Sequence, residues 1–391
     1  MRLLWLCQHG YGDIVRRSLA GLADSLGSIV SAGLAAVIPI GILSGAGSIY
    51  GVERAGVVSV CLAFAAYAAQ VLSALCVEAP LFGGGRRADL PTVVFAAGFL
   101  GCLLWGLGVT GSEVSVLGLF LMIPALECAR ASAVLQGGWR RELIVGALLA
   151  IGVVWVLVSR SPVALHIGVA AAVAAAMVIR MPRRLTRFPV PKGNQWWVVL
   201  ETAIIGIAQP FAMSLAYGGL GSAAAAGLKF TLSTVNIISP VLYFLRLRLL
   251  ARSSVRDIAL ASTLLTAGCA AMILAQVLGV FHVVFGPGWG VVSTSMLLIG
   301  FAWKALATGT TIPFASLRRG GHGVAVLVVR AVTTGLYIVM TVVAVYSLGA
   351  VTAVLVAFAS VEGLSWLIYE AVDRQLRRNR AETLPKGDDI G

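Results

Sequence analysis

Runs of about 20 apolar residues recur along the whole chain, and they restrict its fold more than any other feature. A helix of that length crosses about 30 Å of hydrocarbon. Hydrophobic residues make up 59% of the chain and charged residues only 12%. A water-soluble fold lacks the interior to bury so much apolar surface, and a membrane barrel would need alternating apolar and polar residues. The sequence therefore predicts an all-α polytopic membrane protein.

Twelve apolar spans can be delimited in the sequence. They are residues 24–46, 55–77, 91–110, 113–130, 142–159, 162–180, 195–216, 221–246, 256–279, 289–315, 323–347 and 350–372. We expect two six-helix bundles, with these parts along the chain: an interfacial segment at 1–23, a first bundle at 24–180, a cytoplasmic linker at 181–194, a second bundle at 195–373 and a disordered cytoplasmic tail at 374–391.

The basic residues divide unequally between the two sides of these spans. With the N-terminus inside, 24 of the 29 Lys and Arg lie in cytoplasmic segments. Only Arg54 and Arg160 lie in outer loops, and the other three lie within spans. An excess of Lys and Arg marks the cytoplasmic side. We therefore expect both termini in the cytoplasm and a multi-pass location in the cytoplasmic (inner) membrane. The net charge of +13 arises from these same clusters, so nucleic acid is not an expected partner.

The two halves share a weak repeat at an offset of 171 residues. Pro39 then aligns with Pro210, each in the middle of the first span of its half. A proline removes a backbone hydrogen bond and kinks the helix. Two halves of the same orientation are typical of parallel repeats about an axis along the membrane normal. The alternative is a coincidence of prolines in a chain rich in Ala and Gly.

Five ionisable residues are predicted to lie deep in the second half, where a charge is costly and faces either a partner or a cavity. Glu201 and Arg330 each lie about 10 Å from the inner edge, so they are candidates to pair. Lys304 and Glu362 both lie near the midplane and form a second candidate pair. Lys229 lies nearer the outside, with no acidic residue at its depth.

These five charges allow two interpretations. In the first, two buried ion pairs fix the packing of the helices, and Lys229 extends outward to the membrane surface. In the second, a water-filled and slightly cationic cavity receives an anionic head group. The substrate-binding residues would then be Lys229, Lys304 and Arg330, with Glu201 and Glu362 in charge pairing or ion coupling.

The sequence carries no pattern that predicts catalytic or metal chemistry. The six cysteines and four histidines are scattered, and cysteines in apolar stretches are typical packing residues. The GGG at residues 83–85 lacks the Lys-Ser/Thr of a phosphate-binding loop. We therefore expect no catalytic residue, no metal and no cofactor.

In the first half, Glu127 is expected to pair with Arg130, one turn away.

Several stretches resemble the multidrug/oligosaccharidyl-lipid/polysaccharide (MOP) exporter superfamily, and among its members they are most similar to the polysaccharide-unit flippases. They are SLAGLADSLGSIVSAGLAAVIPIGILSGAGSIYG, ALCVEAPLF, IPALECARASAVLQGGWRRELI, NIISPVLYFLRLRLLAR, VLGVFHVVFGPGWGVVSTS and TIPFASLRRGGHGVAVLVVRA. The resemblance covers about residues 15–372.

The resemblance implies two six-helix bundles around a central cleft that opens alternately to the two sides. It implies bent first and seventh spans, with Pro39 and Pro210 as hinges. Relatives of this kind move a polyprenyl-diphosphate-linked sugar across the cytoplasmic membrane, which makes a lipid-linked glycan the expected substrate. Membrane lipid, a polysaccharide polymerase and glycosyltransferases are the expected partners. The two phosphates of such a substrate suit a cationic cavity.

Three alternatives stay open at this point. One is a cation-coupled multidrug or small-molecule exporter of the same superfamily, with Glu201 as the ion-binding carboxylate. The second is a major-facilitator transporter. In that family the loop between the second and third spans usually carries an acidic residue before its basic residues, whereas in the GGGRRAD loop here the acidic residue follows the arginines. The third is a non-transporting membrane scaffold of a polysaccharide assembly complex.

Overall fold

The structure is a computed structural model of the chain. It describes residues 34, 37–82, 90–135, 139–181, 190, 193, 195–239, 241–242, 245, 249 and 255–383. The predicted interfacial segment at 1–23 lies outside the described residues, as does most of the predicted linker at 181–194. Within the described residues, all of the elements are helices, in agreement with the predicted fold class.

The elements follow one another along the chain in two groups. The first group is α1 (Val37–Ser73), a π-helical turn (Ala74–Glu78), α2 (Ala79–Phe82), α3 (Thr92–Gly106), a 3-10 turn (Leu107–Thr110), α4 (Ser115–Leu135), α5 (Trp139–Ser159), a π-helical turn (Ala164–Gly168) and α6 (Val169–Arg180). The second group is α7 (Gln195–Gly206), α8 (Ala208–Leu220), α9 (Ser222–Asn236), α10 (Val255–Val277), α11 (Val280–Phe285), a 3-10 turn (Gly286–Val291), α12 (Thr294–Arg319), α13 (Gly323–Val343), a π-helical turn (Ala344–Leu348) and α14 (Val351–Thr383).

Nine helices within the described ranges are long and apolar enough to cross a membrane. One of them, Val37–Glu78, consists of two helices that meet at Gly51, whose φ of 85° and ψ of 176° are not helical. Glycine adopts such a positive φ without the steric penalty of a Cβ. The apolar helices Ala164–Arg180 and Val280–Val291 are shorter. Each of the twelve predicted spans overlaps a described helix, and the count of twelve stays a prediction.

Helix α14 extends beyond the predicted end of the second bundle at residue 373. It ends at Thr383, and two ion pairs at a spacing of four residues lie along its last turns. Arg374 pairs with Glu370 at 2.8 Å and Arg377 pairs with Asp373 at 2.7 Å. Pairs at this spacing support an exposed helix. The prediction of a disordered tail from residue 374 is therefore wrong up to Thr383.

The predicted loop between the ninth and tenth spans folds as α11 and a 3-10 turn. Trp289 stacks on Phe285, with ring centroids 4.9 Å apart, and Phe230 of α9 meets Phe285 edge-on at 5.0 Å. The Ser44 hydroxyl of α1 donates to the carbonyl of Val284. This segment therefore packs against both α1 and α9, because aromatic rings fill the space between them.

Two large apolar clusters place α1 and α9 at the boundary between the two halves. The larger cluster joins α1 and α3–α6 with Ala226 and Phe230 of α9. The smaller cluster joins α8, α12 and α14 with Leu228 and Leu232 of α9 and with Ala63 of α1. Each of these two helices thus contributes to both clusters. We call the α1–α9 boundary the seam.

Helices α3 and α4 approach each other closely at two glycines. A Cβ at Gly118 would lie 2.6 Å from the carbonyl oxygen of Gly101 and 2.6 Å from the backbone nitrogen of Trp105. A Cβ at Gly101 would lie 2.5 Å from the backbone nitrogen of Met122. Small residues at such contacts are typical of helix pairs in membranes. A larger side chain would force the two backbones apart.

We expect Gly118→Val to lower the free energy of unfolding by about 1–3 kcal/mol, because the added side chain meets backbone atoms that cannot turn aside. An SDS titration of the purified protein in mixed micelles measures the change. Gly218→Val on α8 is the matched control, since no atom lies within 4 Å of a Cβ at that position. Equal losses in the two variants would contradict the packing argument.

Candidate functional site

Lys229 lies on α9, at the seam, and is only 6% exposed. Its neighbours in sequence divide between the two apolar clusters, with Phe230 in the larger and Leu228 in the smaller. Among the described residues it has no hydrogen bond or ion pair. The interpretation in which Lys229 extends to the membrane surface is therefore wrong. A buried ammonium without a counter-charge is costly, as expected of a group that meets an anionic ligand.

Lys304 of α12 and Glu362 of α14 form a polar cluster with Tyr337 of α13. Glu362 is the acidic group that acts electrostatically on Lys304, but the two do not form the predicted direct ion pair within the described part of the chain. The Tyr337 hydroxyl donates to Glu362 Oε2 at 2.7 Å. Lys304 Nζ lies 4.2 Å from the centroid of the Trp303 ring, within the range of a cation–π interaction.

Glu201 of α7 forms its ion pair with Arg318 of α12. Arg330 of α13 lies over two aromatic rings instead, with its Cζ 4.9 Å from the centroid of Phe314 and 5.4 Å from that of Tyr369. The predicted Glu201–Arg330 pair is therefore wrong. From the predicted spans, Arg318 is expected in an inner loop, whereas α12 continues to Arg319 and keeps Arg318 within the bundle.

Arg318 and Arg330 share one aromatic surface, because the Cζ of Arg318 lies 5.5 Å from the Phe314 centroid. The Nε atom of each guanidinium is buried and has no hydrogen-bond partner among the described residues. An arginine offers five N–H donors and no acceptor. Two buried donors are thus left for an anion or for water. We call Glu201, Arg318, Arg330, Phe314 and Tyr369 the arginine cluster.

The structure thus brings the predicted site residues together in part. Lys304 lies beside Glu362. Glu201 pairs with Arg318 instead of Arg330. Lys229 lies apart from these residues, at the seam. Glu78 also acts electrostatically on Arg318, so four basic side chains face three acidic ones. The excess of positive charge expected from the sequence therefore remains when Arg318 is included.

The partner of Glu201 bears on the exporter alternative, in which this carboxylate binds the coupling cation. A carboxylate that is already paired with a guanidinium offers little net charge to a metal ion or a proton. Glu362 lacks an ion pair within 4.0 Å in the described residues, although Lys304 acts on it from nearby. Of the two predicted acidic residues, Glu362 is the better placed for ion coupling.

The seventh span is interrupted at Ile207, between α7 and α8, three residues before Pro210. A proline has no N–H to donate to the carbonyl of Gly206, four residues earlier, which accounts for the interruption. Pro39 lies in the first turn of the described part of α1, and residues 35–36 lie outside the described part. The hinge roles of both prolines stay predictions.

A buried ion pair that was not predicted from the sequence joins α5 and α6. Arg180 Nε donates to Glu142 Oε1 at 2.9 Å, a second nitrogen pairs with the other carboxylate oxygen, and both side chains are 1% exposed. The signal was available, since both residues lie at the inner ends of adjacent predicted spans. The expected pair of Glu127 with Arg130 is confirmed, at 2.6 Å.

A cavity of about 320 Å³ lies in the first half, at the end of the helices predicted to face outward. Tyr50, Arg54, Glu113 and His166 are among its lining residues, and none of the predicted site residues lines it. Histidines far apart in sequence gave no signal of a site. Within the described residues no group of three His, Cys, Asp or Glu could hold a metal ion, and the five described cysteines are free thiols.

Solved structures with a similar fold are transporters. An inward-facing multidrug resistance MATE family transporter of the MOP superfamily matches with a TM-score of 0.54 and 13% identity, over 90% of this chain and 96% of that chain. A MATE structure in the straight conformation matches with a TM-score of 0.53 and 12% identity, over 93% and 96%. An outward-facing MATE transporter of the MOP superfamily matches with a TM-score of 0.50 and 14% identity, over 91% and 96%.

The chain shares the overall fold of these solved MATE structures. At 12–14% identity, the likeness establishes the fold and leaves the substrate to be argued from the chain's own residues. No protein family and no curated protein sequence matches the chain. The polytopic helical architecture expected from the sequence agrees with this fold.

Proposed function

We propose that the protein is a transporter that moves a polyprenyl-diphosphate-linked oligosaccharide, or a related anionic lipid-linked glycan, across the cytoplasmic membrane by alternating access. The MATE-like fold supports transport, since each of the solved neighbours is named as a transporter or a MATE protein. In this proposal the chain has twelve spans with both termini in the cytoplasm. A polysaccharide polymerase and glycosyltransferases are its proposed partners.

The observation that carries the proposal is the burial of Lys229 at the seam without an acidic partner among the described residues. A diphosphate provides the missing counter-charge through charge-assisted hydrogen bonds. The seam is also where two bundles separate and close in an alternating-access cycle. A positively charged drug would meet repulsion at this position.

Arg330 and Lys304 are proposed to bind the substrate before Lys229, because their predicted depths are nearer the cytoplasmic side from which a lipid-linked glycan enters. The Nε donor of Arg330 has no partner in the described structure, and Lys304 lies beside one carboxylate that is also bonded to Tyr337. Each basic group therefore keeps hydrogen-bonding capacity for phosphate oxygens. The apolar lipid tail would remain between helices, in the membrane.

The test uses the purified full chain in vesicles that contain a labelled polyprenyl-diphosphate disaccharide. A membrane-impermeant glycosidase reports the fraction of sugar in the outer leaflet over time. We expect faster exchange than in protein-free vesicles. Exchange no faster than in protein-free vesicles, with several sugars, would contradict the proposal.

A second candidate is a cation-coupled multidrug exporter, which is favoured by the names of two solved neighbours and by the carboxylate of Glu362. The same vesicles test it with ethidium as the cationic drug and an imposed proton or sodium gradient. Gradient-dependent movement of ethidium without glycan exchange would favour this candidate over the first.

A further inference from the structure

The cavity at the predicted outer end of the first half is built from two parts of α1, from α3 and α4 with the turns between them, and from the π-helical turn before α6. Its floor includes Trp105 and His166, both buried, and its rim includes Arg54 and Glu113. Its volume of about 320 Å³ is roughly ten times the 30 Å³ that one molecule occupies in liquid water. That is enough space for a small organic molecule, and the cavity takes no part in the transport path proposed above.

Hydrogen bonds fix the floor of this cavity. His166 Nδ1 lies 2.9 Å from the carbonyl oxygen of Trp105, and because a carbonyl only accepts, Nδ1 carries the proton. In the neutral ring, Nε2 then accepts from the Tyr50 hydroxyl at 3.2 Å. Trp105 Nε1 donates to the carbonyl of Leu165 at 2.9 Å. Tyr50 therefore presents its phenolic oxygen as an acceptor.

Close packing keeps the His166 ring in this position. A Cβ at Gly108 would lie 2.1 Å from the His166 ring, so only glycine fits there. The Trp105 and His166 rings are in contact, with centroids 4.6 Å apart. The floor is therefore held in one arrangement before any ligand arrives, which lowers the entropic cost of binding.

The rim of the cavity carries an ion pair that a ligand can replace. Arg54 donates to Glu113 Oε2 at 2.6 Å, and the side chains are 27% and 79% exposed. An exposed ion pair contributes little to stability, so little is lost when it opens. With Glu113 displaced, the guanidinium can bind a phosphate or carboxylate with two parallel hydrogen bonds.

We infer that this cavity is a binding site for a small hydroxylated anion, such as a sugar phosphate, on the side of the protein predicted to face outward. The anionic group binds Arg54 in place of Glu113. A hydroxyl of the ligand donates to the oxygen of Tyr50, and the apolar wall that includes Ala46 and Leu165 packs on its carbon skeleton. Glu113 competes with the ligand for the Arg54 guanidinium, so the ligand must displace it.

The test is calorimetric titration of the detergent-purified full chain with glucose 1-phosphate, inorganic phosphate and glucose. We expect the wild-type protein to bind the two phosphates and not glucose. Arg54→Gln should weaken binding of both phosphates by at least about tenfold, because charge-assisted hydrogen bonds are lost. Glu113→Gln should tighten it by about threefold or more, because the competing charge is removed.

Tyr50→Phe separates the two parts of the site. It should weaken binding of glucose 1-phosphate by about threefold or more and leave binding of inorganic phosphate unchanged, since the proposed pose places the sugar, and not the phosphate bound to Arg54, at Tyr50. Arg374→Gln removes the arginine of another exposed ion pair and should change neither affinity. Thermal unfolding of each variant checks its folding.

Three results would overturn the inference. They are the same phosphate affinity in folded Arg54→Gln as in the wild type, weaker binding in Glu113→Gln, and no phosphate binding by either the wild type or Glu113→Gln. Because the titration measures binding without transport, a failure of the transport proposal would leave its result unaffected.

Discussion

Lys229→Gln is expected to lower glycan-lipid exchange by at least about tenfold, because one charge-assisted contact with the diphosphate is lost. The same change should leave the free energy of unfolding unaltered or raise it. Glutamine is polar but uncharged, and the wild-type ammonium is 6% exposed without an ion pair in the described residues. Removing an unpaired buried charge relieves a desolvation cost. Loss of exchange without loss of stability is the signature of a charge kept for function.

Two further variants serve as controls for Lys229→Gln. Lys229→Arg keeps the charge and should retain most of the exchange, whereas Arg374→Gln removes a positive charge from an exposed pair and should retain all of it. The leaflet-exchange assay and an SDS unfolding titration are run on each protein. Full exchange by folded Lys229→Gln would exclude a binding role, and a large fall in its stability would indicate a structural one.

The helices of this chain could be predicted from its sequence because a membrane leaves few choices. A backbone in hydrocarbon must satisfy its own hydrogen bonds, so each long apolar run becomes a helix. The rule does not cover helices outside the long apolar runs, and the sequence-based prediction fails at two such places. Residues 374–383 are too polar to be predicted as a span and yet continue α14, because ion pairs at a spacing of four residues support the helix. The segment Val280–Val291 is too short to cross and still folds against the seam.

The candidate site was predictable in its residue types and only partly in its contacts. Apolar runs and helical rise give the depth of a residue, but depth does not say which face of a helix the residue occupies. Glu201 and Arg330 match in depth, yet Arg318 is the residue that reaches Glu201. Lys304 and Glu362 match as well, and Tyr337 donates to the carboxylate. The rotation of packed helices decides these pairings.

The outer cavity could not be predicted from the sequence, because its residues come from distant parts of the chain. Tyr50 and His166 are 116 residues apart and meet at 3.2 Å. Arg54 lies in a predicted outer loop and Glu113 at the outer end of the fourth predicted span, where isolated charges are ordinary. Only the packing of α1 against α3, α4 and the π-helical turn before α6 brings these side chains to one place.

The second large effect is expected in the first half, where Glu142→Gln should lower the free energy of unfolding by about 3–5 kcal/mol. Arg180 donates to both carboxylate oxygens of Glu142, and to the carbonyl of Leu126 at 3.2 Å. Both side chains of the pair are 1% exposed. In the variant, the Arg180 guanidinium would therefore stay charged in a site shielded from solvent, without a counter-charge. An SDS titration in mixed micelles measures the loss.

A double variant decides whether this loss comes from the broken pair or from the site itself. Glu142→Leu with Arg180→Met removes both charges and fills similar volume, and such replacements of buried ion pairs are often neutral or stabilising. We therefore expect the double variant to unfold close to the wild type and well above Glu142→Gln. If it were as unstable as the single variant, the pair would matter through its hydrogen bonds and shape. If Glu142→Gln itself were as stable as the wild type, water would have to reach Arg180, and the buried pair described between α5 and α6 would be incorrect.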